Sequence, residues 1–328
     1  MPSRVGTSSV LLSVRNLAAH FFLEEGILKA VDGVSFDMGG DEIVALVGES
    51  GCGKTIVALS LINLLPASAR VVSGQVLFSN EDIVAASDER LRAIRGAGIG
   101  IVFQESGAAL NPVYTIGAQI REVLELHRGL TRHEAGKEAV RLLGATGIPD
   151  PEKRARAYPF QLSGGMRQRA AIAIAIGPRP KLLIADEPTT ALDVTVQAEI
   201  LDLLRTLQAQ HQMAILLITH DLGVVAQLAR RVMVMYAGKL VETARVEELF
   251  ATPRHPYTQG LLESVRRRTD RSTPLRGIPG SVPDLFRLPE GCTFHPRCAL
   301  ADTSCTSAFP PSVLLTGDRS CACYRVTR

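Results

Sequence analysis

At 328 residues the chain is long enough for a large α/β domain plus a smaller appendage. Its net charge of +3 gives no global electrostatic case for binding nucleic acid, and five tyrosines, ten phenylalanines and no tryptophan offer no aromatic platform for bases. No apolar run reaches the ~18 residues of a membrane span, and Met1 to Leu17 lacks the apolar core of a signal peptide, so the protein is expected in the cytosol or on a membrane only through partners.

Residues 10–47 read as β-rich. Val10 to Val14 is a strand candidate, and Ala30 to Phe36 reads as a turn followed by a strand. Between them lies His20-Phe21-Phe22, where an aromatic ring suits either a core position or a stack on a purine. The apolar run Ile43 to Val47 then leads into Gly48-Glu49-Ser50-Gly51-Cys52-Gly53-Lys54-Thr55, a complete G-x-x-x-x-G-K-[ST] phosphate loop. Its glycines let successive N–H groups face a phosphate, and the helix expected from Ile56 to Leu65 adds its positive end. Lys54 suits the β- and γ-phosphates, and the Thr55 hydroxyl suits one Mg²⁺ position. The loop alone says only that a nucleoside triphosphate binds.

Further strands are expected at Val72 to Phe78 and Gly100 to Gln104, with a short charged helix, Asp88 to Arg95, between them. Gln104 ends the second strand, where an amide can meet a nucleotide or its water, or simply face solvent. Ile116 to Leu126 and Glu134 to Leu143 carry helical periodicity and suggest a helical insertion. In Gln161 to Arg169, Ser163-Gly164-Gly165 opens an apolar helix, Ala170 to Ile176. That makes either a second phosphate-binding helix N-terminus or an ordinary serine cap. The stretch Lys181 to Pro188 reads as a buried strand ending in Asp186-Glu187, two carboxylates suited to holding Mg²⁺ and to deprotonating a water. Ala191-Leu192-Asp193 leads into a helix from Val194 to Gln208. Met213 to Thr219 is another apolar strand ending in a polar pair, His220-Asp221. Arg231 to Tyr236 and Lys239 to Glu242 form a hairpin around Ala237-Gly238, followed by a short helix, Glu247 to Phe250.

Composition shifts near Pro253. His255-Pro256-Tyr257 leads into a helix from Thr258 to Val265, and Arg266-Arg267-Arg268 with several prolines is expected to be a linker. Cys52 lies in the phosphate loop, whereas Cys292, Cys298, Cys305, Cys321 and Cys323 all lie in the tail. In a reducing cytosol such a group suggests metal before disulfides, and four thiolates suit zinc or an iron–sulfur cluster.

Taken together, these stretches resemble the ATPase subunit of an ATP-binding cassette (ABC) transporter over roughly residues 10–250. The resemblance rests on the phosphate loop, Gln104, Leu162-Ser163-Gly164-Gly165-Met166, the strand ending in Asp186-Glu187, and His220, in that order. The chain resembles most closely the ATPases of dipeptide and oligopeptide (peptide/nickel) importers. That likeness rests on Asn111-Pro112, Ser163 to Arg169, Ala191 to Gln197, Arg254-His255-Pro256-Tyr257, and Gly291-Cys292 with Phe294-His295-Pro296-Arg297-Cys298. After Gln104 the chain reads Glu105-Ser106-Gly107-Ala108 where members usually carry proline and a bulkier residue, and Thr55 stands where many carry serine.

The resemblance implies an α/β P-loop NTPase (RecA-like) core with an antiparallel β subdomain, an α-helical insertion and a small Cys-rich C-terminal extension. The expected boundaries are 8–252 for the nucleotide-binding domain, about 105–165 for its helical subdomain and 253–328 for the extension. It implies a head-to-tail ATPase dimer that binds ATP and Mg²⁺ and hydrolyses ATP. Gly48, Ser50, Gly51, Cys52, Gly53, Lys54 and Thr55 would hold the phosphates, with Phe21 against the adenine. The facing subunit would add Ser163, Gly164 and Gly165, with Asp193 alongside. Glu187 would be the general base, His220 would contact the γ-phosphate, and Asp186, Thr55 and Gln104 would serve Mg²⁺. Gln104 would also connect the ATP site to the permease. In that family the tail cysteines look like ligands of a [4Fe-4S] cluster, here Cys292, Cys298, Cys305 and Cys323, with Cys321 competing for the fourth place. Implied partners are a second, paralogous ATPase, two transmembrane permease subunits and an extracytoplasmic peptide-binding protein, and no nucleic acid. That would put the chain on the cytoplasmic face of the membrane. Alternatives are an ATPase for nickel or another small solute, or a non-transport cassette.

Overall fold

A computed structural model describes residues 10–104, 106–190, 192–269, 277–315 and 317–326, with the side chains of 106, 108 and 265–269 outside the description. Glu105, Ala191, the N-terminal part of Met1 to Leu17 and the side chains of Arg266-Arg267-Arg268 therefore lie outside the described residues. The chain divides into two compact units. One comprises chiefly residues 85–218, and the other 11–38, 43–84 and 219–328.

The first unit is built on three parallel strands, Ile99–Val102, Leu182–Asp186 and Ala214–Thr219, with Leu182–Asp186 in the middle. Leu182–Asp186 and Ala214–Thr219 are buried at every residue, which explains why they read as unbroken apolar runs rather than alternating ones. Around them lie the helices Asp88–Ala97, Ile116–Arg128, Arg132–Ala145, Gly164–Ile176 and Val194–His211. Their starts follow from side-chain caps. Ser87, Thr115, Thr131, Ser163 and Asp193 each accept a backbone N–H of the first turn, and Thr131 with Glu134 forms a reciprocal capping box. The helix opened by Ser163-Gly164-Gly165 begins at Gly164, six residues before its apolar stretch at Ala170, because the Ser163 cap satisfies the exposed donors at that point.

The second unit holds two sheets. The antiparallel sheet runs Gly26–Gly39, Val10–Leu23, Ala69–Phe78, Glu81–Asp82. Val10–Leu23 is much longer than Val10 to Val14, so His20-Phe21-Phe22 lies within a strand and not between two. The other sheet places Ile43–Val47 parallel to Arg231–Tyr236, which pairs antiparallel with Lys239–Arg245. The short strands Ser320–Cys321 and Val313–Leu314 extend that edge. The C-terminal residues share one core with these strands: Val47, Val234, Tyr236, Tyr257, Leu262, Cys292, Phe294 and Cys305 pack together.

One expectation fails here. Arg266-Arg267-Arg268 belong to the helix Pro256–Thr269 and not to a linker. Arginine is a good helix former, and a cation in the last turn is favoured by the helix dipole.

Candidate functional site

Within the second unit the phosphate loop joins the fully buried strand Ile43–Val47 to the helix Lys54–Leu61. Two of its glycines are required by close approach. A Cβ on Gly48 would run into the Met235 carbonyl, and one on Gly53, whose φ is 106°, into the Ala30 carbonyl. The Cys52 carbonyl accepts from Gly238 N–H at 2.9 Å, so the loop is seated on the turn of the neighbouring hairpin. Ser50, Gly51 and Thr55 are exposed, whereas Cys52 and Lys54 are buried. The Lys54 ammonium folds back over the loop and donates to the carbonyls of Gly48 (2.9 Å) and Glu49 (3.0 Å). Burial pushes the Cys52 thiol up despite the nearby Lys54 cation, which keeps the thiol neutral.

The same unit carries the two aromatic candidates on Val10–Leu23. Phe21 is half-buried opposite Ala69, and the Arg70 guanidinium lies 4.2 Å from the ring centroid of the exposed Phe22. His220 is exposed, and the next residue, Asp221, caps the helix Leu222–Leu228 by accepting from Gly223 N–H at 2.7 Å.

Within the first unit, Asp186 ends its strand buried, and Glu187 follows with φ 46°, a left-handed backbone on a non-glycine residue. The strain is held by neighbours, since Glu187 N–H donates to the Ile218 carbonyl at 2.8 Å. The Glu187 carboxylate accepts from Gln104 Nε2 at 3.0 Å and from the Thr190 hydroxyl at 2.8 Å. Gln104 and Glu187, 83 residues apart, are thus brought together. Thr190 was not singled out from the sequence. Its signal was the tight Pro188-Thr189-Thr190 turn directly after the carboxylates. Ser163 accepts from Met166 N–H at 3.3 Å, and Gly165 lies against Val196 so closely that a Cβ would collide with it. The Asp193 carboxylate caps the Val194–His211 helix through Val196 N–H at 2.9 Å, so its first role is structural.

The C-terminal region contributes a third set of residues, all within the second unit. Cys292, Cys298, Cys305 and Cys323 line one small pocket of about 20 Å³, beside His255 and His295. Cys321 is absent from that lining; it sits on the strand Ser320–Cys321 opposite Glu242. Burial pushes Cys292 up to about 11 and raises Cys298 and Cys323, so without a ligand these are neutral thiols. Among the described residues, no three or more His, Cys, Asp or Glu side chains converge closely enough for a single metal ion.

The His255-Pro256-Tyr257 segment also has a structural explanation. The Glu242 carboxylate accepts from the backbone N–H groups of Arg254 (2.9 Å) and His255 (2.8 Å), and is paired with the buried Arg319 (2.9 Å). His255 Nδ1 accepts from Tyr257 N–H at 3.1 Å, which requires that nitrogen to be unprotonated; burial holds the ring down to about 3. Pro256 opens the helix, where its missing N–H costs nothing.

Comparison with known proteins places the chain. The "ABC transporter" family description matches residues 31–190, and "Oligopeptide/dipeptide transporter, C-terminal region" matches 241–305. The dipeptide transport ATP-binding protein DppD of Bacillus subtilis is 47% identical over 315 residues, 96% of this chain and 94% of that protein. The chain belongs to the ABC transporter ATPases of the peptide-importer group. A Brucella melitensis protein named for peptide import is 48% identical over 327 residues, 96% of this chain and 97% of that one. Among solved structures, a dimeric post-hydrolysis ATP-binding cassette bound to ADP and Pi superimposes with a TM-score of 0.65 at 28% identity, covering 72% of this chain and 98% of its own. CbiO1 of Clostridium perfringens gives 0.63 at 29% identity, over 74% and 91%. The fold is that of ABC ATPase cassettes, and the chain is an ATPase that converts ATP and water to ADP and phosphate. No helix among the described residues is long and apolar enough to cross a membrane.

Proposed function

We propose that this ATPase powers import of di- or oligopeptides through a permease, with the residues named above in the roles their chemistry suits. The observation that carries the peptide reading is the C-terminal region. It matches the oligopeptide/dipeptide transporter description, and near-full-length relatives at 47–48% identity are named for dipeptide or peptide import. In this reading residues 8–252 form the nucleotide-binding domain, with a helical subdomain at about 105–165, and 253–328 form the extension.

Lys54 and the loop N–H groups bind the phosphates, and Phe21 packs against the adenine. Thr55, Gln104 and Asp186 offer a hydroxyl, an amide and a buried carboxylate, an all-oxygen set suited to a hard cation such as Mg²⁺. That cation supplies charge neutralisation on the phosphates when bound. Glu187 takes a proton from the attacking water, and the hydrogen bonds from Gln104 and Thr190 orient its carboxylate. His220 contacts the γ-phosphate. Ser163, Gly164 and Gly165 present a helix N-terminus to the nucleotide of a second, paralogous ATPase subunit, with Asp193 beside them. Exposed Val113, Tyr114, Leu126 and Phe160 in the first unit support contact with permease subunits at the cytoplasmic membrane face, and a peptide-binding protein outside the cell would select the solute.

The four pocket cysteines suit a [4Fe-4S] cluster. Four cysteines lining one pocket supply the thiolate set that such a cluster takes. Cys292, Cys298, Cys305 and Cys323 would hold it, and its ligation would tie the extension together.

Two experiments test these readings. Glu187→Gln is expected to bind ATP normally and to hydrolyse it ~10²–10⁴-fold more slowly; wild-type turnover removes Glu187 as the base. Anaerobically purified protein is expected to contain about four iron and four labile sulfide per chain, lost in Cys298→Ser. Stoichiometric zinc, or no metal, overturns the cluster.

A further inference from the structure

The phosphate loop is held from the C-terminal region through its second residue. Every polar group of Glu49 is engaged. Its N–H donates to the Tyr257 hydroxyl at 2.9 Å, a residue 208 positions along the chain. Its carbonyl accepts from Cys52 N–H at 3.3 Å and from Lys54 Nζ at 3.0 Å. Its carboxylate accepts two bonds from the Arg297 guanidinium, at 2.8 and 3.2 Å, from 248 positions away.

The two distant partners are themselves fixed before they reach the loop. The Arg297 side chain is only 5% exposed. Its Nε donates to the Pro279 carbonyl at 2.8 Å, and its guanidinium also donates to the Tyr236 hydroxyl at 3.3 Å. Tyr257 is fully buried, with its ring centroid 4.6 Å from that of Tyr236 and 5.4 Å from that of Phe294. A planar guanidinium that meets a carboxylate with two parallel bonds fixes direction as well as distance, which an ammonium does not.

Glu49 joins the loop lysine to the C-terminal region. Lys54 bonds the Gly48 and Glu49 carbonyls, while Tyr257 and Arg297 hold Glu49 from outside the loop. A loop with glycines at 48, 51 and 53 has little stiffness of its own, so ordering it at the moment of binding would weaken affinity. We propose that Tyr257 and Arg297 are positioning residues for nucleotide binding that act through Glu49, so that the C-terminal region completes the phosphate site. The proposal rests on the assignment of this loop as the ATP site.

The test is equilibrium titration of the full-length chain with MgATP and MgADP. The proteins are wild type, Tyr257→Phe, Glu49→Gln, Arg297→Lys, Arg297→Ala and the Glu49→Gln/Arg297→Ala double variant. Nucleotide-free melting temperature and iron content are measured in parallel. Tyr257→Phe removes one oxygen and Glu49→Gln lies far in sequence from the cysteines, so neither depends on the tail folding around a metal. Tyr257→Phe, Glu49→Gln and Arg297→Ala are each expected to weaken nucleotide binding about tenfold, the scale of one hydrogen bond to a charged or buried group. Arg297→Lys should fall between wild type and Arg297→Ala. The double variant should be no weaker than Arg297→Ala alone. KM for ATP should rise while kcat stays within about twofold, as expected when binding is lost equally from ground and transition states. Wild-type affinity in both Tyr257→Phe and Glu49→Gln overturns the proposal. So does a loss confined to Arg297→Ala and matched by a fall in melting temperature and iron content. Independent, additive losses in the double variant also overturn it. A wild-type chain that binds no MgATP overturns the assignment of the loop itself, and the proposal with it.

Discussion

Glu187 combines a carboxylate with a backbone that carboxylates seldom adopt. A left-handed φ on a non-glycine residue costs on the order of 1–2 kcal/mol, and it persists here because the neighbouring strand and Thr190 hold it. The sequence pattern was enough to pick out Glu187, because two acidic residues at the end of an apolar run need a reason to be there. It was not enough to pick out Thr190, since threonine in a turn after proline is ordinary. Gln104 was ambiguous for the same reason, and its bond to Glu187 is a contact across 83 residues that no local pattern encodes. Gly48 belongs to the same scale. Gly48→Ala is expected to disorder the phosphate loop and abolish MgATP binding, because its Cβ would meet the Met235 carbonyl and neither backbone can yield without breaking the strand pair. Calorimetric titration checks this, and retained ATP affinity contradicts it.

At the scale of elements, helix existence was legible and helix ends only in part. Periodicity found Ile116–Arg128 and Arg132–Ala145 to within two residues, because both bury one apolar face. The start of Gly164–Ile176 was legible from Ser163-Gly164-Gly165 and its serine cap, although Gly-Gly-Met-Arg-Gln-Arg carries no apolar stripe. The helix Pro256–Thr269 was cut short because a charge run was read as a linker. Long-range pairs also decide how elements meet. Glu138 accepts from Arg141 at 2.7 Å and from Arg128 at 2.8 Å, tying Arg132–Ala145 to Ile116–Arg128. These bonds, that to Arg141 foremost, hold the Glu138 carboxyl down to about 2, from an ordinary value of 4.5. A depressed acid contributes stability that is complete above pH 4.5 and is lost as pH falls toward 2. Glu138→Gln is therefore expected to cost about 1 kcal/mol at pH 7 and little at pH 2–3. Denaturant unfolding at both values checks this, and an equal cost at both contradicts it.

At the scale of the molecule, the family was legible because its motifs are short, ordered and chemically specific. The way the C-terminal region is built into the second unit was not. Nothing in local sequence says that the Tyr257 hydroxyl accepts from the phosphate loop, that Arg297 grips Glu49, or that Glu242 gathers Arg254, His255 and Arg319. The sequence showed five tail cysteines, and the fold separates four that share a pocket from Cys321 on its strand. Arg297 directly precedes Cys298, and Phe294 lines the cysteine pocket while packing on Tyr236 and Tyr257. Removal of the cluster proposed for that pocket is accordingly expected to weaken MgATP binding in the wild type. The effect should be smaller in Glu49→Gln, where the grip of Arg297 is already loosened. Titration before and after chelation checks this, and equal weakening in both contradicts it.

The central claim is that ATP hydrolysis by this chain drives peptide import. Its most direct test is uptake of a labelled dipeptide into proteoliposomes that contain the chain, its partner ATPase, the permease subunits and the peptide-binding protein, with ATP on the side of the ATPases. The account predicts uptake that requires ATP, is competed by unlabelled peptide and not by Ni²⁺, and falls at least tenfold when Glu187→Gln replaces the wild type. Uptake unaffected by Glu187→Gln, or transport of Ni²⁺ and not of peptide, would contradict it.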